Sequence, residues 1–418
     1  MAPFALVDDL GKVGAYAVYL LIGIAFGITL EVAGFANSRK LANQFYLKDM
    51  TVLKVMFTGI ITAMVLIFLA SAVGLLSYND IYVNPTYLWP GIVGGLIMGV
   101  GFILGGFCPG TSLVALASLK VDGWFFFLGT LVGVFLFGES VSHFNDFFHS
   151  SYMGRFILPE WLGISTGATV VVIVLAALMA FWVAEKAEAA FGPGEGDAQP
   201  MRGALRLVSI GGLVTLAFVV MGMGQPSPAE KWELMAEDKN PLLENREVQI
   251  HRGELIEIAS NWSFKLLIMD VRSERDYNLF HLLDSERVPL EDLAAGSLTK
   301  ELLDEPPNAV IVLVSNDEAA ATEGWRYLTA EGIMNVYLLE GGINGWLDAF
   351  AGDGACEGCR PMVSGAGSGE VETLRWSFET ALGANRPIAN LDLFRDKAMS
   401  FVPKVKLEVK ARPAGGCG

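Results

Sequence analysis

Cysteine is scarce in this chain of 418 residues: there are four, and only Cys108 precedes residue 356. The single CxxC, Cys356 and Cys359 in ACEGCRP, has no second pair to complete a structural zinc site and no following histidine for haem attachment. No metal and no cofactor are expected. Positive charge is also short, with 29 Lys and Arg against 45 Asp and Glu and a net charge of −16. That balance excludes non-specific binding to nucleic acid or anionic lipid. The first apolar run lacks a basic n-region and a convincing small-residue cleavage site, so it is expected to remain as a permanent helix.

Charge is unevenly spread. Residues 1–224 hold ten Lys/Arg and thirteen Asp/Glu, whereas residues 225–418 hold nineteen and thirty-two. Hydrophobic residues make up 53% of the chain, and the mean hydropathy is +0.46. Six apolar runs, at about 14–35, 52–76, 88–106, 123–142, 161–184 and 204–224, are each long enough to cross about 30 Å of hydrocarbon as a helix. After Pro226 charged residues recur every few positions. The expected fold class is a multi-pass α-helical membrane domain with an internal repeat and re-entrant half-helices, followed by a soluble α/β domain. The expected boundaries are a membrane domain at 1–224, a linker at 225–245, the α/β domain at 246–352 and a C-terminal extension at 353–418.

With six crossings, one set of alternate loops carries Arg39, Lys40, Lys48, Lys54, Lys120, Lys186, Arg202 and Arg206. The other set carries Lys12 and Arg155. The positive-inside rule puts the first set in the cytoplasm. The N-terminus and the soluble domain then lie outside, in the periplasm of a bacterial inner-membrane protein.

Shifted by 72, the sequence partly matches itself. GIAFGITLEVAGFA (23–36) lies over GLIMGVGFILGGFC (95–108), with Gly23/Gly95, Gly27/Gly99, Gly34/Gly106 and Phe35/Phe107 coinciding. Glycines every four residues let helices approach closely in lipid. Repeats with interrupted helices are a transporter pattern, and the interruptions mark the expected binding site. In the second repeat Gly105-Gly106 and Pro109 end one helix, and Pro109 suits the first turn of another. PGTSLVALASL, 109–119, is too short to span and reads as a half-helix. Its free N–H groups would face Cys108, Pro109, Gly110, Thr111 and Ser112. Irregular backbone at membrane depth survives only where it is buried or lines a cavity. The motif therefore reads as an anion seat containing a thiol, although the same residues would also make a tight helix–helix turn with an inert cysteine. Ala36, Asn37 and Ser38 hold the equivalent places in the first repeat, followed by Arg39-Lys40.

GxxxGxGFxxGGFCPGTSLVAL followed by LKxDGWFFFLGTLVGVFLF resembles the YeeE/YedE family of sulfur transporters, over roughly residues 15–143. The resemblance implies transport of thiosulfate or a related sulfur anion. It also makes Cys108 a pore thiol that passes the anion through weak S–H contacts. The first repeat departs from the family pattern, because Ala36 stands at the cysteine position. The membrane part is short for the family, which points to a homodimer or a second subunit to complete the pathway.

Glu31, late in the first run, is either a functional intramembrane carboxylate or an interfacial one paired with Arg39 or Lys40. His143, His149 and Asp146 share an outer loop, at a spacing that fits solvated surface better than a metal site.

In the soluble part LLIMDVR (266–272), AVIVLVS (309–315) and NVYLLEGG (335–342) read as strands, separated by helical stretches such as EAAATEGWRYLTAEG. This alternation implies a parallel sheet. LLIMDVRSERDYNLFHL, with Asp270 and Arg272, and LLEGGINGW (338–346) resemble the opening and closing signatures of rhodanese-like domains over about 246–351. By that resemblance the catalytic loop follows the central strand and begins with a cysteine that holds a persulfide in a nest of N–H groups. Ser315 stands there instead, followed by Asp317 and Glu318. A hydroxyl cannot form a persulfide, and two carboxylates would repel an anion. No conventional sulfurtransferase is expected, and the domain would bind a partner or support the tail.

Cys356 and Cys359 are disulfide candidates outside the cell. Residues 370–382 (EVETLRWSFETAL) read as a helix. KVKLEVKARPAGGCG ends in a Gly-rich tip carrying Cys417, which resembles the tail of the sulfur-carrier subunit of the periplasmic Sox system. The resemblance implies a thiol arm that carries sulfur to or from a periplasmic carrier or sulfurtransferase. The leading expectation is a transporter. Its rivals are a membrane-anchored sulfurtransferase using Cys356, Cys359 or Cys417, and a non-transporting scaffold.

Overall fold

A computed structural model describes residues 6–192, 200–353, 358–362, 372–378, 388–397 and 399–408. The chain divides into two compact units, one built from residues 2–78 and 82–225 and the other from 226–411 with 79–81.

The first unit is helical. Its main elements are α1 (Leu6–Val32), α2 (Ser38–Asn43), α3 (Thr51–Ala72), α4 (Leu88–Gly105), α5 (Pro109–Ala117), α6 (Val121–Ser140), α7 (Thr166–Phe191) and α8 (Pro200–Met223). Among the described residues five spans are long and apolar enough to cross a membrane, or six if Val208–Met223 and Pro228–Glu244, bent by 93°, count together as one. α4 and α5 together form one such span, Leu88–Ala117, of 30 residues. At 1.5 Å per residue that is about 45 Å, longer than the hydrocarbon core. α5 follows α4 after a break at residues 106–108. The short helix expected at 109–119 is α5, Pro109–Ala117.

Two apolar clusters hold this unit. Ile61, Val65, Val170, Val174 and Val220 join α3, α7 and α8. Phe35, Ala36, Leu41, Val52, Phe107 and Ala115 gather the two helix breaks. The remaining apolar surface faces outward, as with Leu21 and Phe26 on α1, Leu96 and Leu104 on α4, and Phe125 and Phe135 on α6. Such a belt is what a lipid-facing surface requires. The glycine repeat behaves differently from its sequence reading. Among the described residues a Cβ at Gly23, Gly27, Gly95 or Gly99 would meet nothing within 4 Å, so no described helix packs closely on these glycines.

The second unit opens with α9 (Pro228–Glu244), which occupies the stretch expected to be a linker. Ser227 and Glu230 form a reciprocal capping box with Pro228 in the first turn, so the helix has a defined start. Trp232 packs edge-on against Trp325, ring centroids 5.6 Å apart. Next come β1 (Gln249–Ile250), α10 (Arg252–Ala259), β2 (Lys265–Asp270), β3 (Ser285–Arg287), β4 (Ala309–Val314), α11 (Ala319–Ala330), β5 (Val336–Leu339) and α12 (Gly342–Phe350). The strands form one sheet in the order β1-β5-β4-β2-β3, every pairing parallel. Every residue of β4 is buried. Its unbroken apolar run, AVIVLV, is what a central parallel strand covered on both faces demands.

The described parts of the extension pack on this unit. Trp376–Ser377 pairs antiparallel with Arg360–Pro361, and Ile388–Ala389 pairs parallel with His281–Leu282. Residues 372–378 are therefore extended where a helix was expected. Trp376 is buried and donates to Asp348 at 3.1 Å, and this tertiary contact overrides local helix propensity. Residues 404–408 lie extended without joining the sheet ladder. Glu254 accepts from Lys404 N and Val405 N, both at 2.7 Å. Tyr337 exchanges two bonds with the Lys406 backbone, and Asn335 does so with Glu408.

Candidate functional site

The break in the second repeat is built by three residues. Gly106 is the C-cap of α4, with φ +71°. Its missing Cβ matters, since one would lie 2.9 Å from Ser38 Cβ and 2.9 Å from the Ser38 carbonyl oxygen. Phe107 is buried. Cys108 then adopts extended backbone, φ −96° and ψ 167°, and serves as the N-cap of α5. Cys108 N donates to Thr111 Oγ1 at 2.9 Å, and Thr111 N donates to Cys108 Sγ at 3.4 Å. This is a capping box with sulfur in the place usually held by oxygen. The Thr111 hydroxyl also lies 3.3 Å from the thiol. Ser112 is fully buried and donates to the Pro109 carbonyl at 2.7 Å. Cys108 itself is a free thiol, half-exposed, with exposed Pro109 and half-exposed Gly110 beside it.

The first repeat supplies the facing wall. Ala36 and Phe35 are buried. Asn37 caps α2, accepting from Arg39 N and Lys40 N. Ser38, against Gly106, donates to Asp122 at 2.8 Å. Lys40 donates to the Ala33 carbonyl at 2.9 Å, so its ammonium sits at the C-terminal end of α1, where the helix dipole favours a cation. Arg39 is exposed. Among the described residues Glu31 pairs with neither of these bases and accepts from Ser118 at 3.0 Å. Corresponding breaks thus pack on each other, and α5 and α6 supply polar partners for the first repeat. Asp122 and Ser118 went unnoticed as partners in the sequence, although Asp122 belongs to the quoted LKxDGW stretch. His143 and His149 each bond a carbonyl of their own turn, of Ser140 and Asn145. A separate cavity of about 310 Å³ lies between α3, α7 and α8, lined by Lys54, Thr58, Ile61, Val174 and Phe181. Lys54 beside it pairs with Glu188 at 2.7 Å.

In the second unit Ser315 directly follows β4, and the residues after it form the connection to α11. The Ser315 hydroxyl is buried and has no hydrogen-bond partner among the described residues. Arg272 and Asp270 form a fully buried pair at 2.6 Å, and Arg272 also reaches Asn316 Oδ1 at 3.3 Å. Asn316 in turn donates to Asp276 at 2.7 Å. Ile343 N and Asn344 N donate to the carbonyls of Ser315 and Asn316, both at 2.9 Å. That approach requires glycine at 342, because a Cβ there would run into the carbonyls of Ser315, Asn316 and Asp317. The loop's two acids do not face an open seat. Glu318 is held by Arg246 through both guanidinium nitrogens, at 3.2 and 2.9 Å, and accepts from Gly341 N at 2.7 Å. Its hydrogen bonds push the Arg246 pKa above the ordinary arginine value. Asp317 pairs with Arg375 at 2.7 Å and accepts from Asn344 at 3.1 Å. The segment 253–349 contains no cysteine. Cys359 is disulfide-bonded, while Cys356 and Cys417 lie outside the described residues.

The fold and the paired breaks define a multi-pass helical membrane protein carrying a parallel α/β domain. Residues 34–225 match the family described as Sulphur transport, and residues 253–349 match the Rhodanese-like domain. The chain thus joins a sulphur-transport segment of the YeeE/YedE kind to a rhodanese-like domain. It is similar to the probable transporter YedE of Escherichia coli (strain K12), 27% identical over 117 residues. The probable transporter YedE of Salmonella typhimurium is 26% identical over the same length. Each match covers 27% of this chain, which spans 27% of either relative's length. An uncharacterized protein of Buchnera aphidicola subsp. Baizongia pistaciae is 25% identical over 87 residues, 21% of this chain and 59% of that protein. No solved structure matches the chain.

Proposed function

We propose that the chain carries a sulfur-containing anion, thiosulfate or a sulfane-sulfur species, across the bacterial inner membrane. The observation that carries this reading is the break at Gly106–Cys108. A half-exposed thiol caps a helix start there, against the matching break of the first repeat. The N–H groups opening α5 favour negative charge, and sulfur offers a soft contact to it. Exposed Arg39, which follows Ser38 of the matching break, adds positive charge on the side expected to be cytoplasmic. The loop charges favour a periplasmic second unit. There the rhodanese-like domain binds rather than catalyses, since Ser315 cannot hold a persulfide. Cys356 with Cys359 forms a clip, and Cys417 is the thiol of a carrier arm that exchanges cargo with a periplasmic partner. The open glycine faces of α1 and α4 suit a second copy of the chain, which would complete the pathway.

Uptake of labelled thiosulfate into vesicles tests the reading. Cys108→Ala is expected to lower uptake at least about tenfold, the equivalent of about 1.4 kcal/mol. Uptake by the parent protein no faster than in protein-free vesicles removes the transport reading, and uptake at the parent rate in Cys108→Ala removes the role of the thiol. Unchanged uptake in Cys417→Ser removes the arm and leaves transport standing.

A further inference from the structure

The amide groups of the loop after β4 are occupied, and the occupant comes from the chain itself. Asp317 N donates to Glu372 Oε1 at 2.5 Å, and Ala320 N donates to Glu372 Oε2 at 2.7 Å. One carboxylate therefore spans the loop and the first turn of α11, a twelve-residue helix whose N-terminal N–H groups favour an anion. The segment bearing Glu372 is fastened on either side. Thr373 O accepts from Asn344 at 2.9 Å, Arg375 N donates to Asn344 Oδ1 at 2.8 Å, and Arg375 pairs with Asp317. Asn344 is fully buried, so both of its amide functions are committed to this segment and the loop. The unpartnered hydroxyl of Ser315 lies buried at the base of the same loop. Such an orphan costs about 1–3 kcal/mol, which marks the loop as shaped for something other than its own satisfaction.

We propose that this loop is a carboxylate-binding site whose ligand is Glu372, and that residues 372–378 form a strap displaced by tetrahedral oxyanions. Of the two acids beside the amides, Glu318 is neutralised by Arg246, which lies outside the strap, and Asp317 keeps its bond from Asn344 when Arg375 leaves with the strap. A tethered carboxylate acts at an effective concentration in the millimolar range, and a free oxyanion must exceed that to compete. Displacement would free residues 372–378 while 388–389 and 404–408 stay fastened to the domain. The inference does not rest on the transport reading.

Hydrogen exchange on the full-length protein in detergent tests it, with sodium sulfate as the probe and sodium chloride of equal ionic strength as control. In Glu372→Ala the peptide covering 315–320 is expected to exchange at least about tenfold faster, because two charge-assisted bonds are lost. Sulfate is expected to restore that protection in the variant. In the parent protein sulfate should speed exchange at 372–378 while leaving 315–320 protected. Exchange at 315–320 within twofold of the parent in Glu372→Ala overturns the proposal, as does protection restored equally by chloride or not at all by sulfate. The β4 peptide reports folding. If it loses protection in Glu372→Ala, the same comparison is made with Glu372→Gln, which keeps the side-chain shape and removes the charge.

Discussion

Gly34 and Gly106 are equivalent in the repeat, and both have positive φ, at +83° and +71°. Their replacement by alanine should nevertheless differ in cost. Either alanine must hold a left-handed backbone, at about 1–2 kcal/mol. At Gly34 the new methyl would meet the far end of the Lys40 side chain, Nζ at 3.0 Å and Cδ at 3.1 Å. A lysine can swing aside, so little is added beyond its bond to Ala33. At Gly106 the methyl would meet Ser38 Cβ and carbonyl oxygen, both at 2.9 Å. Those atoms move only with the backbone of α2, and overpacking of that kind adds about 1–3 kcal/mol. Gly106→Ala should therefore cost about 2–5 kcal/mol in all, against about 1–2 for Gly34→Ala. Denaturant unfolding in detergent measures both, and maleimide labelling of Cys108 reports whether the break has opened. Equal losses, or a larger loss at Gly34, would refute the packing of the two breaks. Gly95→Ala supplies the control. With open space around it and helical backbone, it should gain about 0.5–1 kcal/mol in a single chain. A loss there instead would mean that a second copy packs on that face.

Three further outcomes are expected. The purified full-length protein should release no sulfite from thiosulfate and cyanide above the uncatalysed rate, and turnover abolished by Ser315→Ala would overturn this. The second unit should loosen below about pH 6.5. Burial, aided by Arg252, pushes the His251 pKa down against Glu340 and Glu254, while Lys404 also lowers it. The fold thus favours neutral imidazole, whose Nδ1 accepts from Gly253 N at 3.0 Å and caps α10. Its contribution is whole above the unfolded histidine pKa and is lost as pH falls through the lower folded value. Exchange at 252–259, corrected for intrinsic rate, should rise between pH 7.5 and pH 5.5. His251→Asn, which keeps a capping oxygen, should flatten that rise, and an unchanged rise in the variant would refute the assignment.

Much of the architecture was legible because membrane burial and parallel-sheet burial both write themselves as apolar runs. The stretch 266–272 overlaps β2, 309–315 and 335–342 contain β4 and β5, and the break at 105–109 falls between α4 and α5. What escaped notice depends on partners distant in sequence. The spacing of Gly95 and Gly99 shows which face a neighbour would approach, not whether this chain provides one. Glu31 gives no hint that Ser118 lies beside it. Glu372 sits in a stretch with ordinary helix propensity, and contacts with the loop's amides, Asn344 and Asp348 hold that stretch extended. The capping box at Ser227 and Glu230 was readable and would have revealed α9. Neither Asp317 nor Glu318 discloses in sequence that Arg375 and Arg246 neutralise it.

The side-chain brackets on the last described strand of chain have a geometric consequence. Asn335 grips Glu408 by both backbone groups, so the chain is fixed at that residue. Cys417 stands nine positions further along the chain. A fully drawn chain gains at most about 3.3–3.6 Å per residue, which confines the terminal sulfur to a sphere of about 30 Å around Asn335. If Cys417 is the carrier thiol proposed above, its partner must come inside that sphere.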